Sequence, residues 1–220
     1  MVVDKDLEEL QEDIGQKVES FNILFLDLSA SCTGYSLVTV NFAQKKATFT
    51  NAGVIWFNDD WSNQEKYHYL FAAITNYFNI VGQVDYCVAE AYMINQNKMM
   101  GSHVGPELHG VLQVSLAEIG VKYKTILPQT WRSLLGIKPT VTLDKNGKKK
   151  RDYKLPTKTE VTKVCNTIPA QIVSNITGNT RATPSDLYDA LAISMGFLQK
   201  IGIKNRDFSS LEIQGPINIV

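Results

Sequence analysis

Asn22-Ile-Leu-Phe-Leu-Asp27 is an apolar run that ends in a carboxylate, and the small, polar stretch Leu28 to Gly34 separates it from Tyr35-Ser-Leu-Val-Thr-Val40. Two runs of β-type residues joined by a short polar segment predict strand, tight turn, strand. Working outward, Ala47 to Phe57 carries Phe49, Val54, Ile55 and Trp56. It predicts a third strand, broken near Asn51-Ala52-Gly53, that completes an antiparallel meander.

From Ser62 to Val81 the apolar positions Tyr67, Leu70, Phe71, Ile74, Phe78 and Val81 recur at helical steps, with Gly82 as the stop. Val84 to Glu90 is then a buried strand that again ends in an acid. A second helix is expected from about Met99 to Ile119, a strand from Val121 to Leu127, and a short helix over Pro128 to Leu135. Asn146-Gly147 lies between Thr140-Val-Thr-Leu143 and a basic run, which predicts an inserted basic β-hairpin over 138–155. Thr157-Lys-Thr-Glu160 reads as a capping box opening a helix, and Thr183-Pro184 opens a last long helix to about Lys200. The order is α/β with a mixed sheet flanked by helices, which excludes an all-β barrel, a helix bundle and a repeat array.

A chain of 220 residues with 44% hydrophobic and 20% charged residues has enough apolar material for one domain and is not a disordered tail. No apolar run approaches the roughly 18 to 20 residues that span a bilayer, so no membrane partner is expected. The segment Met1 to Ser20 is acidic where a leader would be basic, and its Leu7, Leu10, Ile14 and Val18 suggest a short amphipathic helix. Residues 1–20 are therefore an acidic helical extension, 21–204 the main domain and 205–220 a tail without a trusted period. Three scattered cysteines, Cys32, Cys87 and Cys165, match no zinc spacing and predict reduced thiols in an intracellular protein.

Zero net charge conceals an uneven distribution. Seven acids face two lysines in Met1 to Ser20, whereas Lys138 to Lys163 holds nine cations against Asp144, Asp152 and Glu160. That field suits a polyanion, although a basic loop can equally be a solvated surface. We expect Lys145, Lys148, Lys149, Lys150, Arg151 and Lys154 to contact phosphates away from any reaction centre.

Four acids stand out by context. Asp27 and Glu90 each end a strand of core residues, while Asp186 and Asp189 occupy the first turns of the last helix, where residues three apart share a face. Taken singly, Asp186 reads equally well as a helix-cap partner and Asp27 as a turn residue. Taken together, acids from two strand ends and a helix start suit hard divalent cations, Mg2+ or Mn2+, with two ions per site able to promote phosphodiester hydrolysis. His68, His103 and His109 have no mutual metal spacing; His109 near Glu107 could reach a phosphate, though a surface role is commoner.

These stretches resemble a known family. Ile23-Leu-Phe-Leu-Asp27 through Gly34-Tyr-Ser-Leu37, Val88-Ala-Glu90-Ala-Tyr92, Gly110, Leu127-Pro-Gln-Thr-Trp131 and Ser185-Asp186-Leu-Tyr-Asp189-Ala-Leu-Ala-Ile193 together look like a RuvC-type Holliday junction resolvase of the ribonuclease H-like superfamily, nearest its viral members. The resemblance spans about Phe21 to Leu198. It implies a ribonuclease H-like fold and a homodimer that uses divalent metal to nick a four-way DNA junction symmetrically, leaving 5′-phosphate and 3′-hydroxyl ends. It implies Asp27, Glu90, Asp186 and Asp189 as catalytic acids and metal ligands, Lys158 near the scissile phosphate, and Tyr92 stacking on a base. It further implies the cytoplasm of a bacterial host or a viral replication compartment. The hairpin and the acidic leader depart from the compact bacterial pattern.

Three rivals remain. Asp27 to Gly34 also resembles the first phosphate loop of actin-like kinases, but those pair two such domains with a later glycine-rich loop that this sequence lacks. A nuclease for hybrids, flaps or mismatches could use the same acids. A binder that holds junctions without cutting is the third.

Overall fold

The computed structural model describes residues 10, 12, 19–81, 84–92, 104–143, 146–174, 176 and 178–214. A mixed sheet takes the order β10-β3-β2-β1-β4-β5, with β11 also pairing with β3. Its strands are β1 (Ser20–Leu28), β2 (Cys32–Asn41), β3 (Lys46–Trp56), β4 (Tyr86–Glu90), β5 (Lys122–Ile126), β10 (Asn205–Asp207) and β11 (Glu212–Gln214). The expected meander forms β1 to β3, antiparallel throughout, while β4 and β5 continue the sheet in parallel with β1.

The continuous apolar character of β1 follows from burial of both its faces. Ile23 and Phe25 point into one core with α5 (Ser185–Lys200), whereas Leu24 and Leu26 point into a second core with α1 (Asn63–Val81) and α2 (Val104–Glu118). β4 alternates in the same way, with Tyr86 and Val88 towards α5 and Cys87 and Ala89 towards α1 and α2. Helices therefore cover the sheet on both sides. α3 (Pro128–Leu134) and α4 (Lys154–Val164) join α5 in the first layer through Trp131 and Val161. Cys32, Cys87 and Cys165 are buried free thiols.

Several expectations need correction. β3 runs unbroken, and the irregularity opposite Leu37 and Val38 makes Thr50 an extra residue whose hydroxyl donates to the Leu37 carbonyl. α4 opens at Lys154 rather than at Thr157, so the expected capping box is not its start; Thr157 is buried inside the helix. The expected basic hairpin forms as β6 (Thr140–Leu143) and β7 (Lys149–Asp152), with Leu143 paired to Lys149. A second hairpin, β8 (Gln171–Val173) with β9 (Thr180–Ala182), has no counterpart in the sequence reading. The expected tail instead adds β10 and β11 beside β3, with Leu211 buried, so the domain extends past 204 to at least 214. Of the acidic leader, Leu10 is buried in the α5-side core; most of the helical extension expected over 1–20 lies outside the described residues. No helix among the described residues is long and apolar enough to cross a membrane.

Candidate active site

Side-chain parity places the first two acids. Alternation along β1 carries Asp27 to the face already set by Ile23 and Phe25, and alternation along β4 carries Glu90 to the face of Tyr86 and Val88. Since Leu26 pairs with Ala89 in the parallel ladder, Asp27 and Glu90 stand side by side one residue further on. Both point towards α5.

The start of α5 is brought to the same sheet end by Gly34, which pairs with Asp27 across the β1–β2 ladder. A Cβ at Gly34 would lie 2.0 Å from the Asp186 carbonyl oxygen, so only glycine permits this approach of helix to strand. Further along α5, Gly196 admits Trp131: a Cβ at Gly196 would stand 2.5 Å from that of Trp131. Asp186 and Asp189 are thereby held over the two strand-end carboxylates.

Each acid has a defined neighbour. The Trp131 indole donates to Glu90 Oε1 at 3.0 Å, and Arg132 Nη2 lies 3.5 Å from the same oxygen. The Arg132 guanidinium is itself sandwiched, 4.6 Å from the ring centroids of Trp131 and of Tyr153. The Cys32 thiol donates to Asp186 Oδ2 at 3.1 Å. Thr157 stands beside Asp189.

Burial and mutual repulsion dominate the electrostatics. Asp27, 8% exposed, has its pKa pushed well above the usual carboxylate range by desolvation and then by Glu90, Asp189 and Asp186, with Arg132 opposing. Asp189 is raised to about 7 by desolvation first and by Glu90 and Asp186, against Arg132 and the Thr157 hydroxyl. Glu90 is raised too, chiefly by desolvation, with Arg132 and Trp131 pulling it down. Burial likewise pushes the Cys32 thiol up, so it stays a protonated donor to Asp186.

A stability consequence follows for the protein free of bound cations. The unfolded chain releases the Asp189 proton near 3.8, whereas the folded chain holds it to about 7. The native state is therefore favoured by this group below 3.8 and loses that advantage as pH rises to about 7. Asp189→Asn removes a charge that burial penalises, and should stabilise the cation-free protein above that window by about 1 to 2 kcal/mol, or roughly 2 to 8 °C. Thermal unfolding across the pH range checks it; a Tm lowered by the substitution and an unchanged pH slope would refute the account.

Among the described residues, no group of three or more His, Cys, Asp or Glu side chains is already arranged to hold a metal ion. The donor chemistry nevertheless fits a hard divalent cation. Four carboxylates whose charges converge on Asp27 offer oxygen ligands alone, and a cation between them would relieve the repulsion. One Glu90 oxygen is engaged by Trp131 and Arg132, so the approach to a cation falls to the other.

The other expected site residues are more scattered. Tyr92 is 42% exposed beyond the end of β4, and its ring packs over Gly105 at the start of α2. Lys158 lies exposed on α4 with its ammonium 5.3 Å from the ring centroid of Tyr188, the residue before Asp189. Lys148, Lys149, Lys150, Arg151 and Lys154 are exposed on and beside the hairpin; Lys145 lies outside the described residues. His109 bonds the Tyr123 hydroxyl through Nδ1, and Tyr67 donates to Glu107, which gives both α2 residues partners within the fold.

Sequence reasoning misses Arg132, the cation that acts on Asp27, Glu90 and Asp189 alike, and gives Trp131 and Cys32 no part in the site. The signal for the first two is the Trp-Arg pair on a proline-initiated helix just after a strand. Nothing local marks Cys32, whose partner is 154 residues away.

No family model matches the chain, and no curated protein matches it in sequence. Solved structures do. Thermus thermophilus RuvC in complex with a Holliday junction substrate superposes with a TM-score of 0.52 at 18% identity, covering 83% of this chain and 98% of that one. A second Thermus thermophilus RuvC structure gives 0.51 at 19% identity over the same shares. The yeast mitochondrial Holliday junction resolvase Ydc2 matches at a TM-score of 0.47 and 13% identity, over 88% of this chain and 85% of that one. With strand order, helix layers and the two RuvC superpositions in agreement, the chain has the ribonuclease H-like fold of the RuvC resolvases.

Proposed function

We propose that the chain is a divalent-metal-dependent DNA endonuclease that resolves four-way junctions as a homodimer, nicking two opposed strands to leave 5′-phosphate and 3′-hydroxyl ends. The observation that carries this reading is the convergence of Asp27, Glu90, Asp186 and Asp189 at one sheet end, close enough for each charge to act on Asp27. Asp27, Glu90 and Asp189 would hold Mg2+ or Mn2+, two ions per site, and Asp186 completes the set or positions water. When bound, such ions supply an activated water and neutralise charge on the leaving oxygen.

The chain's own residues prepare that chemistry. Trp131 and Arg132 fix one oxygen of Glu90, which sets where its other oxygen points. Cys32 does the same for Asp186. Burial of Asp27 keeps bulk water from competing for its carboxylate. Tyr92, exposed beyond Glu90, would stack on an unpaired base, and Lys158 would meet a phosphate approaching α5. Lys145, Lys148, Lys149, Lys150, Arg151 and Lys154 grip phosphates further out.

Two experiments test this. In Mg2+, the protein should cut a synthetic four-way junction in symmetric pairs and leave linear duplex, a flap and an RNA–DNA hybrid intact. Preference for one of the others would keep the nuclease and overturn the junction assignment; binding without any cutting would favour a non-cutting junction binder. Alanine across Lys148 to Arg151 should weaken junction binding and flatten its dependence on salt by about 0.9 in log–log slope for each phosphate that the variant no longer neutralises. An unchanged slope removes the hairpin from the phosphate-binding surface.

A further inference from the structure

Every residue of β6 and β7 is exposed, yet the hairpin's two faces differ. Val141 pairs with Arg151 and Leu143 with Lys149, so these four share one face. Thr140 pairs with Asp152 and Thr142 with Lys150, which sends the hairpin's described acid to the other face. The first face thus carries two aliphatic side chains, 54% and 68% exposed, framed by two cations.

An uncovered two-stranded hairpin is marginal in water, and aliphatic side chains on both-sides-exposed strands add to that instability. The composition of the face says what kind of partner covers it. Lysine is depleted from the centres of protein interfaces, whereas a cation pair flanking apolar groups suits a polyanion that also offers apolar edges. Duplex DNA has both. Its major groove, about 12 Å wide, admits a two-stranded ribbon and presents thymine methyls between two phosphate walls.

We propose that the β6–β7 ribbon enters the major groove of a duplex arm with its Val141, Leu143, Lys149 and Arg151 face inward. The aliphatic pair meets base edges, thymine methyls above all, and the two cations span to the phosphates. This rests on the DNA-endonuclease reading and goes beyond phosphate gripping, because it assigns base recognition to residues without charge.

The test compares binding of a four-way junction with thymine-rich arms to that of the same junction with uracil for thymine, which deletes the methyls and nothing else. The intact protein should bind the uracil junction about tenfold more weakly. Val141→Ser/Leu143→Ser should bind the thymine junction about tenfold more weakly than the intact protein, without discriminating between the two and with the salt slope preserved. Equal binding of both junctions by the intact protein would overturn the ribbon assignment, and needs no variant to fold; Mg2+-dependent nicking in that same experiment would leave the nuclease reading standing. A change in sedimentation of the double variant would make the face an interface between copies and also overturn it. Failure of the intact protein to bind either junction would remove the DNA reading and this inference with it.

Discussion

Asp27→Asn is expected to lower junction cleavage by on the order of 10^3-fold while junction affinity changes by less than about twofold. The amide occupies the space of the carboxylate at the end of β1, so the strand pairing of Asp27 with Gly34 is undisturbed. What disappears is one of four charges that converge at the site. Asp27 is the acid on which Glu90, Asp189 and Asp186 all act, and a neutral group there removes its repulsion with those three but leaves an incomplete ligand set. The variant should therefore be more stable than the intact protein without cations, and less responsive to them. Junction binding should survive, since under the proposed function the phosphates are met by the exposed cations of the hairpin and by Lys158. Gel-shift and cleavage assays on the same junction separate the two effects. Cleavage within about tenfold of the intact protein would place the chemistry elsewhere.

Gly34→Ala should be nearly as damaging by a purely steric route. The new methyl would sit 2.0 Å from the Asp186 oxygen, 2.4 Å from its carbonyl carbon and 2.9 Å from the Leu187 nitrogen, all backbone atoms that cannot rotate aside. Either α5 moves off the sheet or β2 bends. Overpacking of this kind costs about 1 to 3 kcal/mol. The functional cost is larger, since displacement of α5 carries Asp186 and Asp189 away from Asp27 and Glu90 together, and a shift of about 1 Å can lower a rate 10^2-fold. Gly110→Ala is the matched control: a Cβ there meets nothing within 4 Å in α2, so alanine should stabilise by about 0.5 to 1 kcal/mol without touching cleavage. Gly34→Ala with full activity would show that the helix start is not fixed by this close approach.

The local patterns that make the fold legible are the ones whose cause is local. Apolar runs that end in an acid identify β1 and β4, and three- and four-residue apolar steps identify α1. Once the strands are known, parity alone sends Asp27 and Glu90 to the α5 face with Phe25 and Val88. Misreadings arise where tertiary packing outweighs local chemistry. Thr157-Lys-Thr-Glu160 has capping-box composition, but burial of Thr157 against the site places it within α4. Residues 205–207 and 212–214 are strands because β3 offers an edge to pair with, not because three-residue segments carry a period. Arg132 and Cys32 escape notice for the same reason, since each acquires its role from a partner distant in sequence.

The central claim, that these four carboxylates form a divalent-cation site, is tested most directly by calorimetric titration of Mn2+ into the intact protein and into Asp27→Asn. At about pH 8, above the raised Asp189 value, the intact protein should bind Mn2+ saturably, with proton release that grows as pH is lowered towards about 7. Asp27→Asn should lose that binding. Absence of saturable binding by the intact protein, or binding that Asp27→Asn leaves unchanged, would contradict the account.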